Sequence, residues 1–238
     1  MKLDILAIGA HPDDIELSCA GTLAKEISKG KKAGILDLTQ GELGTRGSKE
    51  LRAVEAKNAA EILGVSIREN LAMKDGFFIN DKEHQLQVIQ KIRKYRPDIV
   101  LCNAIDDRHI DHGKGSRLVR DACFLSGLRK IETHDENQVQ SPWRPRLVLH
   151  YIQWKSLTPD IVVDISGFIE TKMKSVLAYT SQFYDKNSKE PSTPISSDNF
   201  LNSITYRAAD LGRIIGVDHA EGFTVERYAA VDSIFDLI

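Results

Sequence analysis

Short apolar runs, separated by stretches of helical spacing, constrain the fold of this chain more than any other feature. Residues 3–9 form an apolar run that ends in Gly9, and residues 33–39 form a second. A weaker run lies at 70–73, and a clear one at 98–103 follows Pro97. Runs this short, bounded by glycine or proline, read as buried strands rather than helices. Between the first two, Leu17, Ala20, Ala24 and Ile27 recur at helical spacing, with Asp14 expected as the N-cap and Gly30 as the stop. Residues 48–63, closed by Gly64, then 82–95 and 114–126 are further predicted helices. Strands buried on both faces and alternating with helices predict a doubly wound, Rossmann-like α/β fold. Its sheet is mostly parallel, with right-handed crossovers and helices on both faces.

The later part is less regular. Strands are predicted at 146–153, 161–165 and 224–234, and helices at 168–181 and 200–215. The polar segments 132–145 and 185–198 read as exposed loops, and the second, with Pro191 and Pro194, is a candidate lid. At 238 residues the whole chain, 1–238, is expected to be one domain.

Charge and composition remove several function classes. A formal net charge of -2 without a basic block gives no sign of a nucleic-acid partner. No apolar run approaches the roughly 18 to 20 residues that span a bilayer, and residues 1–10 are too short for a secretory signal. Cys19, Cys102 and Cys123 lack CxxC spacing and read as small buried hydrophobes. A cytoplasmic protein with no membrane partner is expected.

Two clusters of metal-binding residue types follow predicted strands. His11-Pro12-Asp13-Asp14 comes directly after the first strand, and Asp107-Arg108-His109-Ile110-Asp111-His112 after the fourth. In a sheet of order 3-2-1-4-5 the first and fourth strands are neighbours, and the crevice between their carboxyl ends is where such folds bind ligands. Two turns distant in sequence are thereby expected to face each other. Two histidines and one carboxylate form a catalytic zinc shell with an open position for water, which His11, Asp14 and His112 would supply. Such an ion lowers the pKa of its water toward about 7. Asp13 is left to take the water's proton as general base. His109 is then a general acid or an oxyanion stabiliser, and Asp111 would orient an imidazole through its second nitrogen. The loop Gly41–Gly47 is no dinucleotide fingerprint, but it could line the crevice with Arg46 exposed. Arg52 and Glu55, one helical turn apart, could form a plain salt bridge or serve the site, and Asp75-Gly76 reads as a turn at the same edge.

These residues resemble the LmbE-like, or PIG-L, family of zinc-dependent N-acetylglucosaminyl deacetylases. The matching elements are residues 9–16, the 39–47 loop, Arg52 with Glu55, His109-x-Asp111-His112, and residues 216–223, together spanning most of the chain. The resemblance implies His11, Asp14 and His112 as ligands of Zn2+, with Fe2+ also accepted, and Asp13 as base. It gives His109 the leaving amine or the oxyanion, and gives Asp111 the support of the histidines. Arg52 and Asp75 match positions that hold the sugar hydroxyls or aglycone. Some relatives carry tyrosine where this chain has Asp107, so an oxyanion tyrosine at that position does not transfer, and Tyr184 and Tyr206 are the alternatives elsewhere. The loop and residues 106–129 look most like the bacillithiol branch, which deacetylates N-acetylglucosaminyl-malate; Arg46, Arg52 or Arg108 could meet the malate carboxylates. That branch also implies a homo-oligomer, often a hexamer.

Three other readings stay open at this level. The same chemistry could serve N-acetylglucosamine or a chitooligosaccharide. A non-catalytic nucleotide-binding module would share the sheet, but lacks its fingerprint and concentrates carboxylates. A non-haem iron oxygenase would share the two histidines and carboxylate, but has no use for a free Asp13.

Overall fold

In the computed structural model, which describes residues 1–237, the predicted alternation holds through the first half of the chain. β1 (Ile5–Gly9), α1 (Asp14–Ser18), α2 (Ala20–Ser28), β2 (Ala33–Thr39), α3 (Lys49–Leu63), β3 (Ile67–Met73), α4 (Lys82–Tyr95), β4 (Ile99–Cys102) and α5 (Ile110–Leu125) follow in order. Then come a small hairpin, β5 (His134–Asp135) and β6 (Gln138–Val139), and β7 (Leu147–Tyr151), β8 (Ile161–Asp164), α6 (Ile169–Leu177), α7 (Asp198–Ile215) and β9 (Ala220–Val225). A single 3-10 turn, Ile234–Leu237, comes last.

The central sheet runs β3-β2-β1-β4-β7-β9-β8. The first five strands in that order pair in parallel, whereas β9 is antiparallel to both β7 and β8. Successive side chains of β1 alternate between two cores, as strand geometry requires. Leu6 and Ile8 pack with Val88, Ile92, Leu118 and Val119 of α4 and α5. Ile5 and Ala7 pack with Ile15 and with Leu23 and Ala24 of α2 on the other face. With both faces covered, these strands could be read from continuous apolarity alone.

Local chemistry sets the helix ends. The Ser48 side chain accepts from Leu51 N to start α3, and Gly64, at φ 73°, stops it. Asp81 does the same for α4. Four expectations need correction. The first predicted helix is broken at Cys19, and Asp14 lies inside α1 rather than capping it; Asp13 is the residue before the helix, and no side chain caps it. Helix α5 begins at Ile110 instead of 114, because the His109 ring accepts from Asp111 N and starts it; Gly113 and Gly115 had disguised that turn. The segment 132–145 holds the β5–β6 hairpin. The last strand lies at 220–225 rather than 224–234. It contains Glu221, a carboxylate no strand pattern favours, which here is buried and satisfied by Gly21 N, Thr22 N, Thr22 Oγ1 and Lys172 Nζ.

Helix α7 meets the turn into β9 at Gly212. A Cβ there would lie 2.7 Å from His219 N and from Val217 O, backbone atoms that cannot rotate away. Gly212→Ala is therefore expected to lower stability by about 1–3 kcal/mol, measured as a lower urea midpoint at unchanged slope. Among the described residues no helix is long and apolar enough to cross a membrane.

Candidate active site

The carboxyl ends of β1 and β4 lie side by side, and the turns leaving them bring the two histidine-acid clusters together. Asp14 stands at the centre. Its Oδ2 accepts from His11 N at 3.0 Å and from Asn103 Nδ2 at 2.9 Å, and its Oδ1 accepts from Gln153 Nε2 at 2.8 Å. The same carboxylate faces an imidazole on either side, His11 Nδ1 at 3.7 Å and His112 Nε2 at 3.2 Å. The remaining ring nitrogens meet other acids. His11 Nε2 lies 3.1 Å from Asp75 and 3.5 Å from Asp111, and His112 Nδ1 lies 2.7 Å from Asp107.

The His109 ring sits 4.6 Å from that of His11 and 5.3 Å from that of His112. Its Nδ1 accepts from Asp111 N at 3.3 Å, which places the proton of the neutral ring on Nε2. Asp13 is buried beside these groups with φ at 116°, a left-handed backbone that costs a non-glycine residue on the order of 1–3 kcal/mol. Its Oδ2 faces Arg52 at 3.9 Å.

Charge balance explains the titration of the cluster. Burial opposes a charge on His11, but hydrogen bonds to Asp111 and Asp75 and the field of Asp14 outweigh it and raise its pKa to about 10. For His112 burial is outweighed by Asp14 and by the bond to Asp107, and the pKa rises to about 9. Burial would raise Asp14, yet His112, His11 and Gln153 hold it well below the usual carboxylate range. Asp75 and Asp111 are also lowered, burial again losing to their bonds with His11. His109 moves down, through burial and the neighbouring charges on His11 and His112. Asp13 moves the other way: burial pushes it up to about 7 against the pull of Arg52. The carboxylates thus surround a centre that calls for positive charge.

Two sets of three side chains bring one donor atom each within 4.8 Å of one another: His11, His109 and His112, and His11, Asp75 and Asp111. Neither contains Asp14. The directions of the rings bear on these sets and on the predicted one. Asp75 and Asp111 both address His11 Nε2, and each is engaged elsewhere, by Leu43 N and by Gly76 N and Lys114 Nζ. Asp14 is where ring nitrogens from both turns converge. Each of those rings has its second nitrogen held by an acid, the arrangement that fixes metal-binding histidines. Chemically, the donor set His11, Asp14 and His112 fits a divalent ion.

Several expectations change. Asp111 addresses His11 Nε2, and Asp107, a residue without such a part in the sequence reading, holds His112 Nδ1. Arg52 and Glu55 do not bridge each other. Arg52 bonds Gln182 Oε1 and faces Asp13, while Glu55 accepts from Thr180 Oγ1, Ser181 N and Ser181 Oγ. Arg46 is buried rather than exposed, its guanidinium bonded to the Phe183 carbonyl and Ser188 Oγ. Arg52 and Asp75 do line the cavity, although each is also tied to a site residue. Tyr184 and Tyr206 are exposed and line no part of it.

That cavity, of about 400 Å³, extends from the histidines past Trp154 and Phe200 to Arg207, with Thr193, Pro194 and Ile195 of the polar loop at its wall. Asn103, Gln153, Gln182, Trp154 and Arg207 escaped the sequence reading. Asn103 and Gln153 follow β4 and β7 at the same sheet edge, so the strand-end rule could have found them; the other three carry no local signal.

Comparisons with known proteins give the family and the fold. A family model described as PIG-L, GlcNAc-PI de-N-acetylase, matches residues 6–123. The diacetylchitobiose deacetylase of Thermococcus kodakarensis is 32% identical over 189 residues, covering 75% of this chain and 70% of that protein. A conserved protein of Thermus thermophilus superposes with a TM-score of 0.85 at 36% identity, over 97% of this chain and 98% of that one. The N,N'-diacetylchitobiose deacetylase of Pyrococcus horikoshii shares the fold, with a TM-score of 0.77 at 24% identity over 98% of this chain and 88% of that one.

Proposed function

Because the chain belongs to the PIG-L, or LmbE-like, deacetylase family, we propose that it hydrolyses the acetamide of an N-acetylglucosaminyl substrate, releasing acetate and a free amine. The observation that carries this reading is the convergence of His11 and His112, from two strand-end turns, on Asp14, with Asp13 beside them and bonded to neither. His11, Asp14 and His112 would hold a divalent ion, Zn2+ first and Fe2+ second. Such an ion supplies Lewis acidity to the attacking water and the acetyl carbonyl.

The chain's own residues do the rest. Asp13 accepts the proton of the attacking water, and its pKa, pushed up to about 7, suits a base that must later give the proton back. Arg52 steadies the Asp13 carboxylate, and Gln182 holds Arg52 in place. His109, its Nδ1 committed to the helix start, presents an Nε2–H toward the cavity. That donor stabilises negative charge on the acetyl oxygen or protonates the leaving nitrogen. Asp107, Asp75 and Asp111 keep the imidazoles of His112 and His11 in orientation.

For the substrate, two readings are supported to a similar degree. The resemblance of residues 106–129 to the bacillithiol branch favours N-acetylglucosaminyl-malate; the Thermococcus relative favours a chitooligosaccharide. Family resemblance also underlies a cytoplasmic homo-oligomer, a hexamer, which sedimentation would check. The reaction itself is tested by amine release from N-acetylglucosaminyl-malate, N-acetylglucosamine and N,N'-diacetylchitobiose with protein of measured metal content. Turnover of at least one is expected, lost on chelation and restored by Zn2+. Metal-loaded protein that releases no amine from any of them would refute it.

A further inference from the structure

His150 lies in β7, is 1% exposed and does not line the cavity. Burying an imidazole costs free energy unless its nitrogens find partners. Here both do. Nε2 lies 2.7 Å from Oε1 of Glu226, the residue after β9, whose side chain is 35% exposed. Nδ1 lies 3.0 Å from the Asn103 carbonyl oxygen, 3.0 Å from Ser116 Oγ and 3.2 Å from Cys102 Sγ. The Glu226 carboxylate and the Asn103 carbonyl can only accept, so each draws a ring N–H. The Ser116 hydroxyl and the Cys102 thiol turn to suit the ring.

Two of these partners belong to the elements that carry the proposed metal ligands. Asn103, wholly buried just after β4, donates from Nδ2 to Asp14 Oδ2 at 2.9 Å. Its Oδ1 accepts from Ala10 N, next to His11, at 2.9 Å. Ser116 stands on α5 four residues after His112, so the two side chains share one helix face. The space around Asn103 is matched to it: a Cβ on residue 115 would lie 3.0 Å from Asn103 Oδ1, and Gly115 leaves the amide its place. One buried ring is thus tied to the turn after β1 through Asn103 and to α5 through Ser116. Glu226 holds that ring from the antiparallel side of the sheet.

We propose that His150, anchored by Glu226, is a positioning residue that sets the spacing between Asp14 and His112, and hence the fit of the site to its ion. It acts through Asn103 and Ser116 and touches neither ion nor substrate. The inference rests on the reading of His11, Asp14 and His112 as the ligands. A constellation drawn from two distant turns keeps its geometry, to within about 0.5 Å, only when the side chains behind it are themselves locked. Without the imidazole, Asn103 and Ser116 lose their common partner, and α5 is free to shift against the end of β4.

Metal binding tests this apart from turnover. Zinc affinity is measured by competition with a chromogenic chelator, and the absorption bands of the cobalt(II)-loaded protein report the geometry around the ion. His150→Phe keeps a planar ring in the same space and removes its bonds. It is expected to weaken zinc about tenfold or more, as loss of groups behind metal ligands does, and to shift the cobalt bands. His150→Asn, whose amide nitrogen falls near the place of Nδ1, is expected to restore part of both. Glu226→Gln, at the solvent-facing end, is expected to lose less than His150→Phe. Arg93→Gln is the control for destabilisation alone. Arg93 clamps Ser126, Leu128, Ile131 and Thr133 and joins none of these contacts. Its loss is expected to lower the melting temperature at unchanged zinc affinity and cobalt spectrum.

Unchanged zinc affinity and cobalt bands in folded His150→Phe overturn the proposal, as does an equal loss of affinity in Arg93→Gln. Where His150→Phe does not fold, Glu226→Gln and Ser116→Ala decide, and unchanged zinc affinity in both overturns it. Zinc held through His112 yet indifferent to His150 removes the positioning role alone. Wild-type protein that takes up no zinc, or takes it up without need of His112, removes the metal reading and the proposal with it.

Discussion

Asp13→Asn retains its bound metal and loses turnover by about 10²- to 10⁴-fold, the range over which a positioned general base acts. The substitution keeps the shape of the side chain and removes only its ability to accept a proton. It should leave the metal in place, because His11 Nδ1 and His112 Nε2 both address Asp14 and not Asp13. Nor should the fold suffer, since the Asp13 side chain caps no helix and its charged neighbour Arg52 keeps its bond to Gln182. The left-handed backbone at this position, φ 116°, is tolerated by asparagine about as well as by aspartate. Asp13→Ala adds a steric and conformational change and is the less clean variant. Metal content by mass spectrometry, alongside kcat for amine release, distinguishes the outcomes. Near-normal turnover would take the base role away from Asp13, and loss of metal would show that Asp13 belongs to the ion's shell.

What could be read from the sequence follows from what each feature depends on. The parallel half of the sheet was legible because β1, β2 and β4 are covered on both faces, and continuous apolarity reports that directly. The meeting of His11 with His112 was legible because it requires only that β1 and β4 be neighbours, which the alternation of strands and helices dictates. β9 was misplaced because Glu221 is answered by the start of α2 and by Lys172 of α6, contacts remote in sequence. The part of Asp107 in holding His112 went unread for a local reason. Residues 107–112 straddle the start of α5, and one residue of error in that start rotates a side chain by about 100° around the helix. Arg46 was misjudged because its acceptors come from the segment after α6, and no pattern near residue 46 announces them. Arg207 and Trp154 lacked any motif, and they matter only once the second half of the chain is folded onto the first.

His112→Ala should release the metal, and activity with it, while the fold remains. The His112 side chain lies in the first turn of α5, at the cavity wall, and the helix is started by His109, not by His112. Removing the imidazole leaves His11 and Asp14, one neutral donor and one anion, too few to complete a four-coordinate site with an open position. It also strands Asp107, although Arg108 N, Trp154 N and Lys155 N continue to satisfy that carboxylate. Stability is thus expected to change little, and a thermal melt of the metal-free protein provides the comparison. Asp107→Asn supplies the graded control. It keeps the ligand and weakens only the acid that fixes the His112 ring, for which a loss of about 10- to 100-fold in metal affinity is expected. Zinc affinity by competition with a chromogenic chelator should therefore fall in the order wild type, Asp107→Asn, His112→Ala. If His112→Ala bound zinc as tightly as the wild type, the ion would have to sit with His11, Asp75 and Asp111 instead, on the far side of the His11 ring.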